Sequence, residues 1–202
     1  RGLGDVYKRQ QNPHTHWLPM SKFFDDKDVN FIGRFENFDD DFEKISEADW
    51  IIEVVVELLE IKRKIFENVE KYRKPGSLVT SNTSSIPISI LAKDRSDDFK
   101  KHFCGTHFFN PPRYMRLLEI IPSDDSKPEI IDFFMEFGSD ILGKQTVLCK
   151  DTTAFIANRI GVMSGCKIFE LTQKYDMTIE EVDAITGTLI GRPNTASYRL
   201  QD

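Results

Sequence analysis

The stretch from Asp49 to Ser85, "DWIIEVVVELLEIKRKIFENVEKYRKPGSLVTSNTSS", decides the fold. Its opening, Asp49 to Glu57, is rich in β-branched residues and nearly continuous, with Glu53 as the one charge inside the run. Such a run predicts a strand buried on both faces, as in a parallel sheet. From Leu58 to Tyr72 the apolar residues Leu58, Ile61, Ile65, Phe66 and Val69 recur at spacings of three and four with charges between them. That is the pattern of an amphipathic helix. A Pro-Gly turn follows, then a short apolar strand, Ser77 to Thr80, and a cluster of small polar residues at its carboxyl end. The order is strand, helix, strand.

Working outward, the same alternation continues. The sequence predicts a short helix over Ile88 to Lys93 and strands in "KHFCGTHFF" and "RLLEIIP". An amphipathic helix in "PEIIDFFMEFGSDIL" ends near Gly143, and a last strand lies in "QTVLCKD". This is the order of an α/β domain with a mainly parallel sheet, where ligands sit at the carboxyl ends of the strands. "SNTSS" and "FFNPP" both fall at such ends. From Thr152 onward the pattern is helical throughout, and Thr178 with Glu181 three residues on has the spacing of a capping box. A domain boundary is placed near Asp151. The division expected is residues 11–150 as a partial α/β domain and 151–202 as a helical domain cut short, since two helices bury little apolar surface unaided.

The first ten residues, "RGLGDVYKRQ", fit neither period and resemble the translation of a library-adapter end; they are read as an assembly scar, with a genuine terminus as the alternative. With 27 basic and 33 acidic residues and no cluster of Lys and Arg interleaved with aromatics, the chain does not look like a nucleic-acid binder. Three widely spaced cysteines suggest neither a disulfide framework nor a zinc site, and a reducing cytoplasm fits them best. No apolar run is long enough to span a bilayer. "HTH" at His14 to His16 lacks a third ligand, so no metal is expected there, and the acidic runs "DDKD" and "FDDDFE" are read as solvated charges.

The chemistry points to "CGTHFFNPPRYMRLLEII", Cys104 to Ile121, where His107 and Glu119 stand in apolar surroundings. They are twelve positions apart, which fits a strand ending near Phe109, a "NPPRYMR" turn and a return strand that brings Glu119 back beside the histidine. A carboxylate that fixes an imidazole's tautomer and stabilises its protonated form makes a general base. On spacing alone a satisfied core histidine and a solvent-facing glutamate are the better reading.

The local sequence around both residues adds to this. "GTHFFNPPRYMRLLEIIP" resembles the catalytic segment of the 3-hydroxyacyl-CoA dehydrogenase family, G-x-H-F-F-N-P followed by [K/R]-L-[L/V]-E-[V/I]-I. "VVVELLEIKRKIF", "SNTSSI" and "CKDTTAFIANRIG" agree in order and separation, and the resemblance runs from about Phe42 to the C-terminus. It implies a Rossmann-like, mainly parallel sheet that lacks its first βαβ unit, followed by the start of an all-α C-terminal domain. It further implies NAD as cofactor, an acyl-CoA thioester as substrate, a homodimer when intact, and oxidation of L-3-hydroxyacyl-CoA to 3-ketoacyl-CoA in fatty-acid β-oxidation. His107 becomes the base and Glu119 its orienting partner. Ser84 and Asn158 match the family's hydroxyl and amide on the reacting oxygen, Ser84 lying also beside the cofactor. Glu57, Lys62 and Asn110 match its contacts to the cofactor's ribose and nicotinamide side.

Without the resemblance, Ser84 is a helix cap, Asn158 a helix-surface residue, Glu57 a strand-end carboxylate and Lys62 a solvated helix lysine. The family's G-x-G-x-x-G loop is not found, so weak NAD binding and little turnover are expected of the chain as it stands. "KDTTAF" replaces the commoner K-D-T-P-G-F. "GRPNTASYRLQD" resembles the version in bacterial proteins that join this dehydrogenase to an enoyl-CoA hydratase. A short-chain 3-hydroxybutyryl-CoA dehydrogenase and a non-catalytic relative that keeps the fold are the alternatives.

Overall fold

The computed structural model of the chain describes residues 45–192 and 195–199. The first ten residues, His14 to His16 and the two acidic runs lie outside the described residues. The chain divides into two compact units at Phe155 and Ile156.

The first unit is built on five strands whose order in the sheet is their order in the chain: β1 (Trp50–Glu53), β2 (Leu78–Ser81), β3 (Phe103–Phe108), β4 (Leu117–Pro122) and β5 (Gln145–Leu148). Pairings β1–β2, β2–β3 and β4–β5 are parallel, and β3–β4 is antiparallel. The sheet is therefore mainly parallel, with one hairpin-like return in its middle. The helices α1 (Leu59–Tyr72), α2 (Ile88–Leu91) and α3 (Asp97–Lys101) carry the chain between the first three strands, and α4 (Pro128–Glu136) carries it from β4 to β5.

Period-2 alternation divides β3 and β4 between two cores. Phe103 and Ile121 face one way, into a cluster with Phe66, Ile88, Leu91 and Phe99 of the first three helices. Cys104, Leu118 and Ile120 face the other way, against Ile130, Ile131 and Phe134 of α4. Fully burying each such side chain contributes about 1.5–3 kcal/mol. Burial also pushes the Cys104 thiol far above its ordinary range, which makes it an inert core residue.

The sequence predicts β1 as far as Glu57, but the strand stops at Glu53. The Glu53 carboxylate accepts the Val55 amide at 2.6 Å, and the Lys62 ammonium donates to the Val55 carbonyl at 3.1 Å, so the backbone at Val55 is diverted from the ladder. Helix α3 goes unpredicted; Ser96 caps it by accepting from the Phe99 amide. The helix after Pro128 is not uniform to Gly143 but passes into a π-helical turn over Phe137–Ile141. There Gly138 lies so close to β5 that a Cβ would sit 2.5 Å from Thr146 Cγ2.

In the second unit, α5 (Ala157–Lys174) and α6 (Ile179–Thr186) are followed by a short 3₁₀ turn, Thr188–Ile190. The Thr178 and Glu181 capping box is present, each side chain accepting the other's backbone amide. Asp183 accepts the amides of Ser197 and Tyr198, and the Tyr198 hydroxyl donates to Thr172 Oγ1, which ties the segment after α6 back to α5.

Candidate active site

Parallel strands ending together gather their following residues at one edge of the sheet. At that edge lie Glu57 beyond β1, the 81–86 loop at the end of β2, His107 near the end of β3, and Glu119, which the antiparallel β4 returns to the same level. His107 and Glu119 are directly paired across the two strands. His107 Nδ1 lies 2.7 Å from Glu119 Oε2, and the two residues are 3% and 1% exposed. A carboxylate oxygen can only accept, so Nδ1 carries the proton and Nε2 keeps its lone pair. Phe109 and Phe155 flank the imidazole, with ring centroids at 4.5 and 5.7 Å. The solvent-facing glutamate of the simpler sequence reading is thus excluded.

Glu57 organises the neighbouring loop. Its Oε1 accepts from the Thr83 hydroxyl at 2.6 Å, from the Ser84 and Ser85 amides at 3.0 and 2.9 Å, and from the Ser85 hydroxyl at 3.0 Å. Burial works to raise its pKa, yet the Thr83 hydroxyl, the Lys62 charge and Ser85 together outweigh burial and hold it at about 2. Ser84 itself is exposed at the head of this loop.

Lys62 is not a solvated lysine. It is 1% exposed, and its ammonium meets Glu53 Oε1 at 2.9 Å, the Val55 carbonyl at 3.1 Å and Glu57 Oε2 at 3.3 Å. Glu53 in turn accepts the Ser81 hydroxyl at 2.6 Å. A chain of polar partners therefore runs from the buried Ser81 of β2 through the buried Glu53 and Lys62 to the half-exposed Glu57, each satisfying the next.

Three further residues were given no role at the site from the sequence. The Asn82 side-chain oxygen accepts the Phe108 amide at 2.8 Å while the Asn82 backbone N–H donates to the Glu53 carbonyl at 2.8 Å, which binds the ends of β1, β2 and β3 together. Asp151 accepts the amides of Ile88 and Ser89 at 2.5 and 2.8 Å, anchoring α2 to the segment after β5. Glu53, passed over as an interruption in an apolar run, had a signal: a lone carboxylate in a buried strand needs a partner, and Lys62 follows nine residues on. Asn110 is exposed in the loop after β3, and Asn158 is half-buried in the first turn of α5, in the second unit.

Residues 18–152 match the family model described as 3-hydroxyacyl-CoA dehydrogenase, NAD binding domain. The chain belongs to the 3-hydroxyacyl-CoA dehydrogenase family. It is 55% identical over 166 residues to a probable 3-hydroxyacyl-CoA dehydrogenase of Bacillus subtilis, covering 82% of this chain and 21% of that protein. A putative fatty acid oxidation complex trifunctional enzyme of Rickettsia felis is 41% identical over 203 residues, covering 98% of this chain and 27% of that protein. Among solved structures, (S)-3-hydroxybutyryl-CoA dehydrogenase from Ralstonia eutropha aligns with a TM-score of 0.68 at 27% identity, over 75% of this chain and 53% of that one. The chain thus spans from a fifth to about half the length of these relatives.

The matching family binds NAD, and the edge described here suits it. An ionised, half-exposed carboxylate at Glu57 is an acceptor for a ribose hydroxyl, and Asn110 offers an exposed amide on the neighbouring loop. Among the described residues no cluster of His, Cys, Asp and Glu could hold a metal ion, and no helix is long and apolar enough to cross a membrane.

Proposed function

We propose that this chain supplies the base and much of the nicotinamide-side wall of an enzyme that oxidises a 3-hydroxyacyl-CoA to the 3-ketoacyl-CoA. The observation that carries this reading is the buried pair in which His107 Nδ1 is held 2.7 Å from Glu119 Oε2, in a chain of this family. With Nδ1 spent on the carboxylate, Nε2 takes the proton of the 3-hydroxyl, and the negative Glu119 stabilises the imidazolium so formed. The hydride on C3, the carbon that bears this hydroxyl, would leave to the nicotinamide, the acceptor that NAD would supply when bound.

Ser84 and Asn158 are assigned to the reacting oxygen, which they orient by hydrogen bonds, a role worth most when donor and acceptor are fixed beforehand. For Ser84 the support is the loop on which it stands, fixed by Glu57. Glu57 and Asn110 are assigned to the cofactor. Lys62, with three oxygens around its ammonium, serves by holding Glu57 in place.

The likeness to (S)-3-hydroxybutyryl-CoA dehydrogenase favours a second reading, the same chemistry on short acyl chains. Initial rates across 3-hydroxyacyl-CoA chain lengths separate the two. The Rickettsia felis relative, named as a trifunctional enzyme, supports placing this chain within a larger multifunctional protein.

The test is His107→Gln in the enzyme that carries this chain, with NADH formation and NADH fluorescence titration read side by side. Turnover should fall by roughly 10²–10⁴-fold with cofactor affinity unchanged. Retention of turnover would remove His107 as the base.

A further inference from the structure

Lys144 stands just before β5 and is 8% exposed, yet nothing in the reaction uses it. Its ammonium donates to two backbone carbonyls of the loop that joins β3 to β4, those of Pro112 and Met115, the latter at 2.8 Å. Its backbone is fixed in turn, Lys144 N donating to the Gly138 carbonyl at 2.8 Å and Gln145 N to the Arg116 carbonyl at 2.7 Å. Burial lowers its pKa, and the Pro112 and Met115 carbonyls are the acceptors that meet its ammonium there.

The loop itself explains why it needs an outside anchor. Residues 109–116 are too many for a tight hairpin turn, whose backbone type would set the geometry of the strands it joins. The loop turns on Pro111, whose carbonyl accepts the Tyr114 and Met115 amides at 2.9 and 3.0 Å, and residues 113–116 are exposed. Its first residue, Phe109, has its ring centroid 4.5 Å from that of His107. The apolar alternation of β3 and β4 already prevents a whole-residue slip, which would turn Leu118 and Ile120 to the wrong face. What remains to be fixed is the finer placement of the imidazole against its carboxylate.

Resting on the dehydrogenase reading above, we propose that Lys144 is a positioning residue: by holding the Pro112 and Met115 carbonyls it fixes the 109–116 loop, and through Phe109 the placement of His107 against Glu119. It touches neither substrate nor cofactor, and acts on turnover through His107.

The experiment compares Lys144→Met, which keeps the stem and removes the donors, with Lys144→Arg, which keeps donors, in the enzyme that carries this chain. Three quantities are read: the rate of tryptic cleavage at Arg113 and Arg116, kcat and KM for 3-hydroxyacyl-CoA oxidation, and the ¹⁵N imidazole signals of His107. Lys144→Met should be cut at those sites about tenfold faster or more and lose about tenfold or more in turnover, a small misplacement being enough for that. The loss should fall on kcat rather than KM, and the His107 Nδ1 signal should move. Lys144→Arg should stay close to the parent in all three.

Unchanged cleavage in Lys144→Met, or faster cleavage with kcat and the His107 signals unaltered, would overturn the proposal. If Lys144→Met does not fold, Lys144→Arg decides, since a fall in its kcat with the loop still protected from trypsin would equally overturn it. Absence of turnover in the parent enzyme defeats the dehydrogenase reading instead, and the cleavage and ¹⁵N signals still judge Lys144.

Discussion

At the scale of single residues, the pair at the centre of this site depends on a neighbour with no side chain. Gly105 lies two residues before His107 on the same face of β3 and pairs with Ile121 across the sheet. A Cβ at Gly105 would sit 2.8 Å from Ile88 Cδ1 and 3.0 and 3.1 Å from Ile121 Cδ1 and Cβ. The Ile88 methyl can swing aside, but Ile121 Cβ moves only with the β4 backbone, which also carries Glu119. Gly105→Ala should therefore destabilise the protein by about 1–3 kcal/mol, read as a lower denaturant midpoint at constant slope. An unchanged midpoint would mean that β4 yields at no cost. Ala154 shows the reverse situation, a side chain held at φ +60°, a conformation that costs an L-residue roughly 1–2 kcal/mol.

At the scale of elements, the cluster running through Glu53, Lys62 and Glu57 fixes the loop that bears Ser84. The Glu57 pKa lies at about 2, down from an ordinary 4.5, so its folded form holds protons less tightly than the unfolded chain does. Its contribution to stability is complete above 4.5 and is lost as the pH falls toward 2. Thermal midpoints of the parent and of Glu57→Gln should thus lie well apart above that window and converge on acidification. A gap that stays constant with pH would show that the carboxylate's charge is not what holds the loop.

Elements of this kind were partly legible in the sequence. Apolar spacing located α1 and a β-branched run located β1, and the other four strands fall in short stretches that the sequence also marks as strands, because those signals are local. The early end of β1 was hidden, because a tertiary ion pair, not a turn residue, stops it. The separation of His107 and Glu119 and the turn residues between them fitted the pairing without deciding it; the resemblance of the surrounding segment did that. The clamp by Asn82, the anchor by Asp151 and the seat of Lys144 could not, since each joins segments whose meeting only the fold determines.

At the scale of the whole molecule, the sheet brings Glu57, the 81–86 loop, His107 and Glu119 to one edge, in a chain whose residues 18–152 match the family model. The account rests on one atom of that edge being free to take a proton. The direct measurement is a ¹⁵N-resolved imidazole spectrum of His107 at a pH where the ring is neutral, assigned by comparison with Glu119→Gln. The account requires the proton on Nδ1, facing Glu119, with Nε2 bare. A proton found on Nε2, with Nδ1 bare against the carboxylate, would contradict it.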